Sequence, residues 1–88
     1  VMFVNFGEAE VNYILPLLHE LRRRGINAEI YPDRAKIKKQ LDYANTNGIP
    51  YVAMAGENEI AGNMVTLKNM LEGRQKEIPA DDLWREFD

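Results

Sequence analysis

The chain has 88 residues, 45% of them apolar, and carries 11 Lys and Arg against 14 Asp and Glu, for a net charge of −3. This length supports one small core, so a single domain over residues 1–88 is expected, and a first strand with no lead-in reads as a module cut from a longer chain. With no Cys, no Ser, two Thr and one His, disulfides, thiolate metal sites and the usual nucleophilic machinery are excluded.

No apolar run approaches the ~20 residues that cross a bilayer, and no signal-peptide pattern is present, so a cytoplasmic protein without membrane contact is expected. The acidic balance does not favour nucleic acid in the simplest electrostatic picture. How the charges are distributed matters more than their sum.

Val1 to Phe6 reads as a strand, and Gly7 as a tight turn into a helix. A single glycine there lacks the spacing of a dinucleotide or phosphate-loop fingerprint. From Glu8 to Arg24, Val11, Ile14, Leu15, Leu18 and Leu21 recur at helical spacing and predict one buried stripe. Acidic residues at the start, Arg22, Arg23 and Arg24 at the end, and Gly25 as the stop all suit a helix dipole. Pro16 predicts a kink or a later start, since it removes one hydrogen bond and crowds the preceding turn. The three arginines could touch phosphate, but a solvated helix end is the plainer reading. His19 has no second ligand at metal spacing and reads as a surface residue.

Asn27 to Tyr31 reads as a second strand, closed by Pro32. A helix between two strands predicts a parallel pair joined by a right-handed crossover. Asp33 is expected to cap a second helix running to Asn47, with Ile37, Leu41 and Ala44 facing inward. Its first turns carry Arg34, Lys36, Lys38 and Lys39. The dipole there is already positive, and each cation costs a few tenths to ~1 kcal/mol. An anion site explains the pattern. Offsetting by Glu29, Asp33 and Asp42 on a solvated face explains it equally well.

Tyr51 to Ala55 is a short apolar run between turn residues, as expected of a strand buried on both faces at the centre of a sheet. It passes into Gly56-Glu57-Asn58-Glu59, read as a loop rich in hydrogen-bonding groups. Met64 to Met70 alternates, as in a strand exposed on one side, and Gln75 to Ile78 reads as a charged edge strand. Their short connections predict antiparallel neighbours. Pro79 opens a final helix docked by Leu83, Trp84 and Phe87.

Ligands of parallel βαβ sheets collect beyond the carboxyl ends of the strands. The Gly7 turn, the segment Asp33 to Lys39 and the segment Gly56 to Glu59 all fall there. Cations beside carboxylates suit RNA, because Arg and Lys hold phosphates while a carboxylate such as Glu59 accepts the paired N–H donors of a guanine edge. Taken alone, Glu57 and Glu59 read more simply as an acidic surface turn.

The runs Lys36-Ile37-Lys38-Lys39-Gln40-Leu41, Tyr43-Ala44, Gly48-Ile49-Pro50-Tyr51-Val52, Gly56-Glu57-Asn58-Glu59 and Val65-Thr66-Leu67-Lys68-Asn69-Met70, with Gly73 and Gln75, resemble the C-terminal anticodon-binding domain of histidyl-tRNA synthetases. That domain type is shared with prolyl-, threonyl- and glycyl-tRNA synthetases, and the resemblance covers nearly the whole chain. It implies a three-layer α/β/α fold with a mixed, mostly parallel five-stranded sheet. It also implies a surface that binds the anticodon stem-loop of histidine tRNA, with Glu59, Lys68 and Arg34 at positions matching anticodon contacts. Lys36, Lys38, Lys39 and Glu57 join this set on electrostatics and proximity.

The parent of such a domain joins histidine to its tRNA, with ATP and Mg in a catalytic core outside these residues, and is expected to be a homodimer. The module itself is expected to bind without catalysing and to need no cofactor. Pro16 and the acidic charge depart from the family pattern, away from the proposed edge. Two other readings stand: an accessory module of the same type making protein contacts in a non-synthetase subunit, and a flavodoxin-like or phosphoacceptor domain. The latter lacks its acidic cluster and phosphate cradle.

Overall fold

The computed structural model describes residues 1–87. In chain order the elements are β1 (Met2–Phe3), α1 (Glu8–Arg23), β2 (Glu29–Ile30), α2 (Ile37–Thr46), β3 (Tyr51–Met54), α3 (Glu57–Ala61), β4 (Met64–Asn69) and β5 (Arg74–Pro79), followed by a 3-10 helix (Ala80–Phe87). The five strands form one sheet in the order β2-β1-β3-β4-β5. β1 pairs parallel with β2 and β3, whereas β3–β4 and β4–β5 are antiparallel. Four strands therefore run one way and β4 runs against them. The run from Tyr51 is the central strand, as its apolar character requires.

Strand pleating sends alternate residues into two cores. Phe3, Ala53, Val65, Leu67 and Ile78 face Ile14, Leu18 and Leu21 of α1 and Leu83 of the 3-10 helix. Met2, Val4 and Val52 face the other way, against Ala44 of α2. Helices on both faces make the expected three layers.

Four local expectations are corrected. Helix α1 runs unbroken from Glu8 to Arg23 with Pro16 inside it, so Pro16 neither delays nor interrupts it. Pro16 and Asn12 are both exposed, so water can serve the carbonyl that loses its partner. Helix α2 begins at Ile37, with Lys36 rather than Asp33 at its N-cap and no side-chain cap. Ile37 is consequently 37% exposed, and the inward position one turn on is taken by Gln40, which is fully buried. The segment after β3 is not a loop but the short helix α3. Pro79 closes β5, and the final helix winds as 3-10.

The arginine run at the end of α1 is spent inside the fold. Arg22 donates to the carbonyl of Ala28 at 3.0 Å, and Arg23 and Arg24 both bond Glu20. The Arg24 guanidinium lies 3.6 Å from the centroid of the Trp84 ring, joining α1 to the 3-10 helix. Arg24's hydrogen bond, more than Arg23's, holds the Glu20 carboxyl below its ordinary range.

Candidate nucleic-acid interface

The carboxyl ends of β1, β2 and β3 share one edge of the sheet, and the three α-helices start there. Their first turns differ in charge. α1 begins with Glu8 and Glu10, and α3 with Glu57 and Glu59, as the dipole favours. α2 has no acidic residue in its first turn. It carries Lys38 and Lys39 there, with Lys36 at the N-cap and Arg34 just before.

One buried side chain fixes this entry to α2. Gln40 accepts a hydrogen bond from the Asn5 backbone N–H at 2.7 Å, and its amide donates to the carbonyls of Asn5 at 2.8 Å and Ala35 at 2.9 Å. Asn5 donates its own side-chain amide to the carbonyl of Tyr31 at 3.1 Å and accepts the Gly7 N–H at 3.0 Å. The end of β1, the exit of β2 and the approach to α2 are thereby locked together, every buried polar side chain satisfied among the described residues. A buried polar clasp at the carboxyl edge places Arg34 and Lys36 on a rigid support.

Glu57 is exposed at the start of α3. Glu59 is half-buried, and one carboxylate oxygen accepts the Gly56 N–H at 2.9 Å, as in a capping box. Its other oxygen keeps its acceptor capacity. α3 packs against α1, so Glu59 stands on the α1 side of the edge; burial, then the charges of Asp81 and Glu59, raise the Tyr13 pKa above its ordinary 10.0. Tyr13 itself donates to the carbonyl of Met64 at 3.0 Å. Lys68 projects from β4 opposite Val52, on the face that α2 covers, one row in from the Thr66–Met54 pair. The seven nominated residues thus share an edge and its adjoining face, but in three places: the cations before and within α2, the carboxylates of α3, and Lys68 on the sheet.

What unites the cations is their lack of partners. Of the 11 Lys and Arg, Arg23, Arg24, Arg74, Lys76 and Arg85 form ion pairs, and Arg22 bonds a carbonyl. The remaining five are Arg34, Lys36, Lys38, Lys39 and Lys68, none of which has an ion-pair or hydrogen-bond partner for its charge among the described residues. Glu29, Asp33 and Asp42 form no ion pair with them among the described residues.

The sequence reading missed two features. Phe6 lines a hollow of about 490 Å³ with Arg34, Ala35, Lys36 and Ile37, and Gln40 holds that hollow's walls. The only sequence signal for Gln40 is a polar residue at a position of the inward-facing helical stripe. Among the described residues there is no cluster of acidic or His side chains able to hold a metal ion, and no helix long and apolar enough to cross a membrane.

Residues 1–88 match the family described as Anticodon binding domain. The chain belongs to that family. Among its relatives, the histidine–tRNA ligase of Porphyromonas gingivalis is 54% identical over 81 residues, covering 92% of this chain and 18% of the relative. That of Phocaeicola vulgatus is 51% identical over 83 residues, covering 94% and 18%. The chain therefore spans less than a fifth of these curated relatives' length. Among solved structures, histidyl-tRNA synthetase from a Nostoc species superposes with a TM-score of 0.92 at 27% identity, covering 98% of this chain and 21% of that one. The RNA binding domain of threonyl-tRNA synthetase from Cryptosporidium parvum gives 0.87 at 26% identity, covering 98% and 22%. The domain is of the kind carried by histidyl-tRNA synthetases, and the shared fold with the threonyl domain fits the wider group that the sequence resembles.

Proposed function

We propose that this anticodon-binding domain is part of a longer histidine–tRNA ligase and holds the anticodon stem-loop of histidine tRNA. The observation that carries the reading is the set of five unpartnered cations: all five lie on the carboxyl edge or its α2 face, the side where an open βαβ sheet receives ligands. Phosphate contacts from Arg34, Lys36, Lys38, Lys39 and Lys68 position the loop without specifying it. Specificity comes from carboxylates. Glu59, fixed by Gly56 through one oxygen, presents the other to the N–H donors of an unstacked guanine, with Glu57 exposed beside it.

The joining of histidine to tRNA, with its ATP and Mg, belongs to the catalytic core of the parent. This domain contributes by anchoring one end of the tRNA, so that binding energy remote from the reacting groups orients the acceptor end.

Fluorescence anisotropy with the anticodon stem-loop of histidine tRNA tests this, using the native loop and versions with each anticodon base replaced. The native loop is expected to bind most tightly, and Glu59→Gln, which keeps the cap but loses the charge, is expected to erase the preference for one base. Equal binding of every loop by the unaltered protein contradicts base reading.

A further inference from the structure

Helix α2 ends at the opposite edge of the sheet from the cations of its first turns, and the way it ends exposes a reactive pair. Asn47 is its C-cap, and Gly48 follows with φ of +67°, the left-handed conformation that glycine adopts without strain. The Ile49 N–H donates to the Ala44 carbonyl at 2.9 Å and the Gly48 N–H to the Asn45 carbonyl at 3.3 Å, the two bonds of a Schellman turn. The Asn47 side-chain amide adds a third, to the Tyr43 carbonyl at 2.8 Å. This turn delivers the chain to Pro50, whose carbonyl accepts from the Met70 N–H at 2.8 Å, and so to the start of β3.

The glycine that suits the turn also leaves Asn47 open to attack. Of the chain's asparagines, Asn47 alone is followed by glycine. A side chain on the following residue would shield its main-chain nitrogen from the asparagine Cγ, and Gly48 has none. Both residues are exposed. Among the described residues nothing lies within 4 Å of where a Gly48 Cβ would be, so water and base reach the pair.

We propose that Asn47-Gly48 is a site of spontaneous deamidation, gated by the last turn of α2. Solvent base takes the Gly48 N–H proton, and the nitrogen forms a bond to Asn47 Cγ. The bond from Cγ to the amide nitrogen breaks, and ammonia leaves with a proton from solvent, closing a five-membered succinimide. One water then opens the ring. Cleavage at Cγ leaves Asp; cleavage at the main-chain carbonyl leaves isoaspartate, with the chain routed through Cβ. The gate is the hydrogen bonding. In the closed turn the Gly48 N–H is committed to Asn45 and the Asn47 amide to Tyr43, so the reaction proceeds from molecules in which this turn has opened.

Either product weakens the turn. A carboxylate cannot donate to the Tyr43 carbonyl, and it sets a negative charge at the helix end where the dipole is negative too. Isoaspartate also lengthens the backbone between Ala44 and Ile49, which breaks the spacing of the bond that joins them.

The test is to incubate the folded protein at mildly alkaline pH and physiological temperature, digest it with trypsin and locate modified residues by tandem mass spectrometry. Asn47 is expected to gain about one dalton before any other asparagine does, with isoaspartate at the same residue detected by enzymatic methyl transfer. In urea the conversion should run at least about 10-fold faster, since the three hydrogen bonds no longer hold the pair. Asn47→Gln, whose longer side chain would have to close a six-membered ring, should remove the early product in both conditions. Equal rates in the folded and the urea-unfolded protein would overturn the gate. Asn47 still intact in the folded protein once the unfolded chain has fully converted, or converting no earlier than the other asparagines, would overturn the site.

Discussion

Replacing Gln40 by leucine would leave the Asn5 N–H and the carbonyls of Asn5 and Ala35 without their side-chain partner at the edge of the core. Each stranded group costs about 1–3 kcal/mol, so Gln40→Leu is expected to lower the unfolding free energy in urea by at least about 2 kcal/mol. A decrease of under about 0.5 kcal/mol would mean that the clasp does not hold this edge. Tyr13 gives a second prediction at this scale. Burial, Asp81 and Glu59 raise its folded pKa above 10.0, so on titration the unfolded chain loses this proton first. The contribution to stability is therefore present below pH 10 and lost as pH rises through the folded value. Tyr13→Phe should flatten the alkaline fall in stability measured by urea unfolding, and an unchanged slope would contradict the assignment. The cations were legible in the sequence because positive charge at a helix start runs against the dipole. Gln40 and Phe6 were not, since a polar residue on an inward stripe and an aromatic residue at a strand end gain their roles only when β1 and α2 come together.

Among the elements, α3 shows how a side chain proposed to read a base can also be structural. Glu59 caps the helix through Gly56, so Glu59→Ala is expected to cost stability of about 0.5–2 kcal/mol, as for other N-terminal cap losses, whereas Glu59→Gln should cost less. Thermal unfolding of the two variants separates capping from base reading, and equal losses would mean that the charge, not the hydrogen bond, is what α3 requires. The five residues of α3 carry no apolar period that a sequence reading could detect. The start of α2 was misplaced for a related reason. Asp33 has the chemistry of a cap, but the bond from Gln40 to Ala35 helps hold the approach to Ile37. The long elements were legible from periodicity and alternation alone: α1, the buried run of β3, and the alternating β4.

For the molecule as a whole, a net charge of −3 coexists with a cluster of unpaired cations at the entry to α2 because the other Lys and Arg are mostly consumed in ion pairs within the fold. That partition was not visible in the sequence, where Arg22, Arg23 and Arg24 form the densest basic run and yet are bonded to Glu20, Ala28 and Trp84. It carries a prediction for salt dependence. Neutralising Lys39 should make the logarithm of the binding constant fall less steeply with the logarithm of salt, by roughly 0.7 for each phosphate that is no longer neutralised. Arg85→Ala, on the opposite layer, should leave the slope unchanged; a slope altered by Arg85 and not by Lys39 would place the RNA elsewhere. The most direct test of the central claim is an NMR titration of the isotope-labelled protein with the anticodon stem-loop of histidine tRNA. Resonances of Phe6, Arg34 to Lys39, Glu57 to Glu59 and Lys68 are expected to shift together and saturate, while the Trp84 indole N–H, on the α1 side under Arg24, stays in place. Shifts centred on Trp84 and the arginine run, with the α2 entry unmoved, would contradict it.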